Sequence, residues 1–404
     1  MKKSLYYTFQ FWKWLMLGGV IGCLGGLLGT AFHYSLHFVT ALRAQHNWLI
    51  FLLPIAGLLS VGLYSLFRLG DNKGTNEIIA AVLNKKAVKP LIAPAIFISA
   101  LLTHLFGASG GREGAALQLG GSVASSVSGL LRLKEQERAV LTLTGMSAVF
   151  SGLFGTPLTA AVFCVEFLSV GTVFSPALLP CYLAAFISST VSRSFGVHAE
   201  TAEIPNLVMN ISNVCGIAII CIAVALLGML MCTLFRGFGK FSSKLLPNRF
   251  IRIFIGAIVI IALTLTVGDQ RYNGAGMDMA LRAISGQADW FDFMLKLAFT
   301  AVTLAAGFKG GEIVPTFCIG ATFGCFLGGV LGIDPGLAAA FGLIGLFCSA
   351  TNAPLASIIL SAEMFGIENL HIFALICIIS FAISGEISLY SSQERKNSKL
   401  FFNI

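Results

Sequence analysis

The sequence predicts an all-α polytopic membrane protein made of two related halves in opposite orientation, with broken and tilted helices. Three observations carry this: an apolar composition, a one-sided distribution of basic residues, and an internal repeat. Of 404 residues 56% are hydrophobic and 11% charged, too little polar surface to cover a water-soluble domain of that size. Apolar runs recur at Leu15–Phe32, Trp48–Phe67, Leu91–Phe106, Val140–Phe154, Pro176–Val191, Val214–Phe235, Phe254–Val267 and Ile372–Ile383. Each is near or below the roughly 20 residues that a perpendicular helix needs, so many helices are expected, several of them short. The first run follows Lys2 and Lys3, is studded with glycines and continues into further spans, so no cleavable signal is expected.

Basic residues fix an orientation. They cluster at Lys2, Lys3 and Lys13, at Arg132, Lys134 and Arg138, at Arg236, Lys240, Lys244, Arg249 and Arg252, and at Arg395, Lys396 and Lys399. The positive-inside rule then puts both termini and the loops near 134 and 244 in the cytoplasm of a multi-pass inner-membrane protein. It also accounts for the net charge of +8 without nucleic acid as a partner. The segment Gly196–Ile211 holds two glutamates and no Lys or Arg, as an external linker would. A first half that begins inside and ends outside crosses an odd number of times, so the second half runs the other way. The division expected is 1–200 for the first repeat, 201–390 for the second and 391–404 for a short cytoplasmic tail.

Self-similarity supports the same division. Gly110-Gly111-Arg112-Glu113-Gly114 aligns with Gly310-Gly311-Glu312-Ile313-Val314 at an offset of 200. Pro157-Leu158 through Glu166 aligns with Pro354-Leu355 through Glu363 at 197, and Lys73-Gly74 with Asn273-Gly274 at 200.

Inverted-repeat transporters bind substrate near the midplane, where broken helices point their ends at it. The glycine segments suit that place. Successive glycines let backbone N–H groups approach a ligand, and the helix that restarts after them presents partial positive charge, which makes an anion site. The competing reading is close helix packing by small residues, which is the better one for scattered pairs such as Gly25-Gly26. Glu113 opens a helix between apolar flanks, where a carboxylate is costly unless paired, protonated or functional. It is either an ion-pair partner of Arg112 or a gate that competes with the transported anion and leaves when protonated. Glu312 is a second buried acid, with Lys309 as its candidate partner. Glu166 and Glu363 end matching apolar runs and suit a shared structural role, capping or pairing with backbone. His33 and His37 stand one helical turn apart without a third ligand, and the ten cysteines have no metal spacing, so neither a metal nor another cofactor is expected.

Gly111-Arg112-Glu113-Gly114, Gly311-Glu312-Ile313-Val314-Pro315 and Leu389-Tyr390-Ser391 together resemble the three main signatures of the CLC family of anion channels and anion/proton antiporters. The resemblance implies a homodimer with one pore per subunit. It implies that Glu113 is the gating glutamate, that the Tyr390 hydroxyl is the inner gate, and that Ile313 and Val314 give backbone N–H groups to the anion, with Gly111, Arg112 and Gly114 in the same loop. In the first glycine loop the family's usual serine is absent, and Asn72 or Lys73, before Gly74, takes its approximate place. Glu166 is followed by Phe167, where chloride/proton antiporters carry a second, proton-handling glutamate. The acid of Gly-Gly-Glu and its separation of 78 from Tyr390 are similar to the fluoride/proton antiporter branch, whereas Val314 stands where that branch often has threonine, and its usual first-loop methionine is not found.

The function expected is therefore secondary transport, not enzyme catalysis: fluoride expelled in exchange for protons, with Glu113 and Glu312 carrying gating and proton transfer. A chloride channel or chloride/proton exchanger of the same fold is the first alternative. A cation/proton antiporter using Asp278 and Lys309 is the second, and a membrane-embedded enzyme, for which no hydrolase constellation is present, the third.

Overall fold

The computed structural model describes residues 2–70, 72–207, 210–395 and 399, with side chains from residue 7 onward. Of the expected tail 391–404, residues 396–398 and 400–404 lie outside the described residues.

Eight α-helices precede the linker around 200 and eight follow it among the described residues. The first set is α1 (Lys2–Gln45), α2 (Leu53–Leu66), α3 (Thr75–Leu83), α4 (Ile92–Leu105), α5 (Glu113–Leu130), α6 (Glu135–Phe154), α7 (Pro157–Glu166) and α8 (Leu178–Ser194). The second is α9 (Ile211–Leu245), α10 (Arg249–Val267), α11 (Met277–Ile284), α12 (Asp292–Ala306), α13 (Ile313–Leu331), α14 (Pro335–Thr351), α15 (Pro354–Phe365) and α16 (Leu370–Ile383). The two sets match member by member: a long first helix, a third of nine or eight residues, and a seventh opened by proline. Proline suits that position because the first turn of a helix leaves its N–H groups unbonded in any case. Six stretches among the described residues are long and apolar enough to cross a membrane, whereas α4, α7, α14, α15 and α16 are shorter apolar helices.

Packing follows the same symmetry. α1 lies on α6 and α8, α9 on α14 and α16, and α5 on α6 as α13 on α14. Between the halves, α2 meets α10, α7 meets α15 and α5 meets α13, so equivalent elements face each other. That is the arrangement a two-fold axis generates, because a patch on the axis must complement its own copy. The glycine segments meet on it: Gly111 N–H donates to Gly311 O at 2.7 Å and Gly311 N–H to Gly111 O at 2.6 Å, an antiparallel bridge.

The same reciprocity explains Glu166 and Glu363. The Glu166 carboxylate, at the end of α7, accepts from Leu355 N at 2.9 Å and Ala356 N at 2.8 Å in the first turn of α15. Glu363, in α15, accepts from Leu158 N at 3.0 Å and Thr159 N at 2.9 Å in the first turn of α7. Each acid caps the other half's helix, which satisfies N–H groups that lipid cannot, and this is the structural role that the sequence pairing suggested. The glycines of α1 do not break it. A side chain on Gly26 would stand 2.7 Å from the Val191 side chain and one on Gly29 3.0 Å from the Gly152 backbone, so these glycines let α1 lie against α8 and α6.

A two-residue parallel ladder completes the fold: β1 (Ser169–Val170) pairs with β2 (Glu394–Arg395), joining the chain after Tyr390 to the loop between α7 and α8.

Candidate functional site

α5 and α13 start where the glycine bridge places them, nose to nose on the pseudo-two-fold axis. Their N-cap residues are Arg112 and Glu312, neither of which makes a side-chain cap, so the amide N–H groups of both first turns lack that usual acceptor. Such a pair of helix openings attracts negative charge.

A carboxylate takes one of them. Glu113, fully buried, turns from the first position of α5 to α13, where Oε2 accepts from Val314 N–H at 3.1 Å. Its other oxygen makes no hydrogen bond and lies 3.8 Å from Arg112 Nε. Gly111 makes room: a side chain there would come within 2.5 Å of Glu113 Oε2 and 2.9 Å of the Pro315 ring. Gly114 is bounded likewise, with Gly311 Cα 2.9 Å from where its side chain would start.

Arg112 points the other way. Its guanidinium pairs with Glu200 in the linker and lies 4.8 Å from the centre of the Phe154 ring. On that face the space beside Phe154, Glu200 and Phe317 is only about 20 Å³, room for about one water. That face is tightly packed there.

The opposite face is open. A cavity of about 280 Å³ is lined by Asn72, Lys73, Gly74, Gln118, Lys309 and Glu312, with Arg249 and Arg252 at its wall. A second, of about 120 Å³, lies between Arg236, Leu389 and Glu312. Glu312 thus stands between two cavities on the face that carries these arginines. Lys309 Nζ donates to Asn72 O at 3.3 Å and stands 4.4 Å from the centre of the Tyr64 ring.

In the first loop, Asn72 is buried and Lys73 exposed. Asn72 Oδ1 accepts from Gly74 N at 2.9 Å, which holds the turn into α3, while its Nδ2 donors have no partner. Gly74 carries φ +64° there, a conformation that favours glycine.

Tyr390 is 3% exposed and its hydroxyl has no protein partner. Its ring meets Phe167 edge to face at 5.3 Å between centres. Rings continue from there: Phe167 on Phe163 at 4.7 Å, Phe163 on Phe150 at 5.8 Å, Phe150 on Phe154 at 4.9 Å, with Phe347 touching Phe163 and Phe317. An aromatic wall therefore runs from Tyr390 to Phe154 beside Arg112. The sequence offered 34 phenylalanines and no periodicity that singles these out, since they come from α6, α7 and the residue after it, α13 and α14. Glu200 was legible only as an acid in the linker, and Gln118 only as a polar residue five positions after Glu113.

The comparisons agree with this geometry. The family model described as "Voltage gated chloride channel" matches residues 56–385. A "Chloride/fluoride channel protein" of Pseudomonas syringae pv. tomato is 35% identical over 396 residues, 96% of this chain and 87% of the relative. An "H(+)/Cl(-) exchange transporter ClcA" of Klebsiella pneumoniae is 26% identical, covering 87% and 80%. Among solved structures, a "CLC-type fluoride/proton antiporter" superimposes with a TM-score of 0.92 at 32% identity, covering 96% of this chain and 99% of that one. A slow cyanobacterial Cl-/H+ antiporter superimposes at 0.78 with 18% identity, which shows the fold alone. With the family model spanning most of the chain and the glycine crossing closed by Glu113, this protein belongs to the CLC family of voltage-gated chloride channels and transporters.

Proposed function

We propose that this chain expels fluoride in exchange for protons, as a homodimeric multi-pass protein of the inner membrane with both termini cytoplasmic. The observation that carries the reading is the Glu113 carboxylate on the α13 amide of Val314. In that place it is itself the anion in an anion site. When a proton neutralises it, the charge-assisted bond, of order 1.5–3 kcal/mol, is lost, and a dissolved anion takes the helix end instead. The ionised carboxylate and the dissolved anion then exclude each other at one position, so that anion entry is tied to the protonation of Glu113.

Fluoride, rather than chloride, is supported by three features. The acid at 312 lines both cavities of the arginine-bearing face, and it corresponds in the other half to Arg112. Asn72 presents free amide donors to one of these cavities where a chloride site would offer a hydroxyl, and a small, strongly hydrated anion needs dense donors to replace its water. A relative 35% identical to this chain and a solved structure 32% identical to it carry fluoride in their names. Between the two first-loop candidates, burial and the unpartnered amide favour Asn72 over Lys73. The lining of the central site is then Asn72 and Gly74, the Gly111 to Gly114 loop, the Ile313 and Val314 amides, and Tyr390, with Glu113 and Glu312 moving protons. The two sets of eight helices support a division into 1–200 and 201–390.

Purified protein in liposomes loaded with fluoride or chloride tests this. Fluoride efflux accompanied by proton uptake, with chloride much slower, is expected. Equal chloride efflux, or fluoride efflux without proton uptake, overturns the reading in favour of a chloride channel or exchanger.

A further inference from the structure

Tyr390 has no bond at its hydroxyl, so its position depends on the turn that bears it and on the ring wall behind it. Both are tied to one side chain. Gln393, three residues on and 8% exposed, closes the turn with its N–H on Tyr390 O at 3.3 Å. Its Nε2 donates to Phe167 O at 2.9 Å and to Thr351 O at 3.0 Å, and its Oε1 accepts from Asn352 Nδ2 at 3.1 Å. Phe167 is the residue whose ring meets Tyr390. One carboxamide therefore links the tyrosine's turn, its aromatic neighbour and the end of α14, with both Nε2 protons and the oxygen in use.

The chain around it is pinned at both sides. Leu389 N donates to Ala350 O at 2.8 Å and Tyr390 N to Ser388 Oγ at 3.0 Å, while Ser392 N reaches Asn76 Oδ1 at 3.0 Å. Beyond Gln393, Glu394 N donates to Leu168 O at 2.9 Å, and Lys399 Nζ holds Asn352 Oδ1 at 2.5 Å. A buried amide with every donor and acceptor paired rigidifies what it joins, whereas a half-satisfied one is costly.

We infer that Gln393 is a positioning residue for anion/proton exchange: it holds Tyr390 against Phe167 and so sets the inner closure of the pathway. The inference rests on the reading of Tyr390 as the inner gate. Gln393→Glu tests it with almost unchanged shape, because a carboxylate offers no proton to the Phe167 and Thr351 carbonyls. Asn352→Asp, which removes the donor to Gln393 Oε1 and keeps an acceptor for Lys399 Nζ while adding a charge beside it, serves if the first variant does not fold.

Two measurements on the full-length protein separate the outcomes. Hydrogen exchange at the amides of 389–393 is expected to quicken by about tenfold or more, and in liposomes the protons moved per fluoride are expected to fall. The fall should vanish in a Tyr390→Ala background if Gln393 acts through the tyrosine. Unchanged exchange, or an equal fall in the Tyr390→Ala background, overturns the inference. Quickened exchange in Gln393→Glu, with coupling unchanged by Tyr390→Ala itself, would instead overturn the gate reading and leave Gln393 as the holder of the turn.

Discussion

The Glu113 carboxylate closes the first turn of a helix in the opposite half, 3.1 Å from the Val314 amide. In the proposed exchange the anion site is made of both repeats at once: α5 supplies the removable charge, and α13 the donors that the charge vacates.

Glu113→Gln retains shape and removes the exchangeable charge. Fluoride flux is expected to lose its dependence on pH, whereas the wild type runs faster as pH falls because protonation frees the α13 end. Proton uptake should disappear. Efflux and pH recorded together in the same vesicles check this, and persistent proton uptake would place the gate elsewhere.

Gly111→Ala would put a methyl group 2.5 Å from Glu113 Oε2 and 2.9 Å from the Pro315 ring. The carboxylate must leave Val314, so pH-insensitive flux like that of Glu113→Gln is expected, with a stability loss of about 1–3 kcal/mol from overpacking. A variant that transports with wild-type pH dependence would show that the loop yields without moving the gate.

Glu166→Ala and Glu363→Ala each leave two N–H groups of the opposite helix without an acceptor. Each is expected to destabilise by about 2–4 kcal/mol, on the scale of lost hydrogen bonds to charged groups. The near-symmetric geometry predicts similar losses for the two. Melting temperatures of detergent-purified protein read this, and a large drop for one alone would mean that only one cap is stressed.

Asn72→Leu removes the unpartnered amide, and Lys73→Gln removes an exposed charge. The first is expected to slow fluoride relative to chloride, whereas the second should leave that ratio nearly unchanged. Paired efflux rates decide, and the reverse pattern would assign the site to Lys73.

Much of this site was legible before any coordinates. The offset of 200 paired Gly111 with Gly311, and those residues do bond to each other, because an inverted repeat brings equivalent loops to the same depth. Arg112 was legible as a neighbour of the anion and as a candidate ion-pair partner of Glu113; its Nε does stand 3.8 Å from Glu113 Oε1, while its guanidinium also pairs with Glu200 and lies over Phe154, contacts that depend on where the linker returns. Gln393 carried no signal at all, since its three side-chain partners lie 41, 42 and 226 residues away.

The sequence by itself determined the solvent, the two-fold repetition and the acids at issue, because composition, charge distribution and local spacing are one-dimensional properties. Only the tertiary structure decided which helix Glu113 caps, which face packs tightly around Arg112 and Glu200, and which rings run from Phe154 to Tyr390. Those depend on contacts between segments far apart in the chain, where a rotation of one helix changes the partner while the local sequence stays the same.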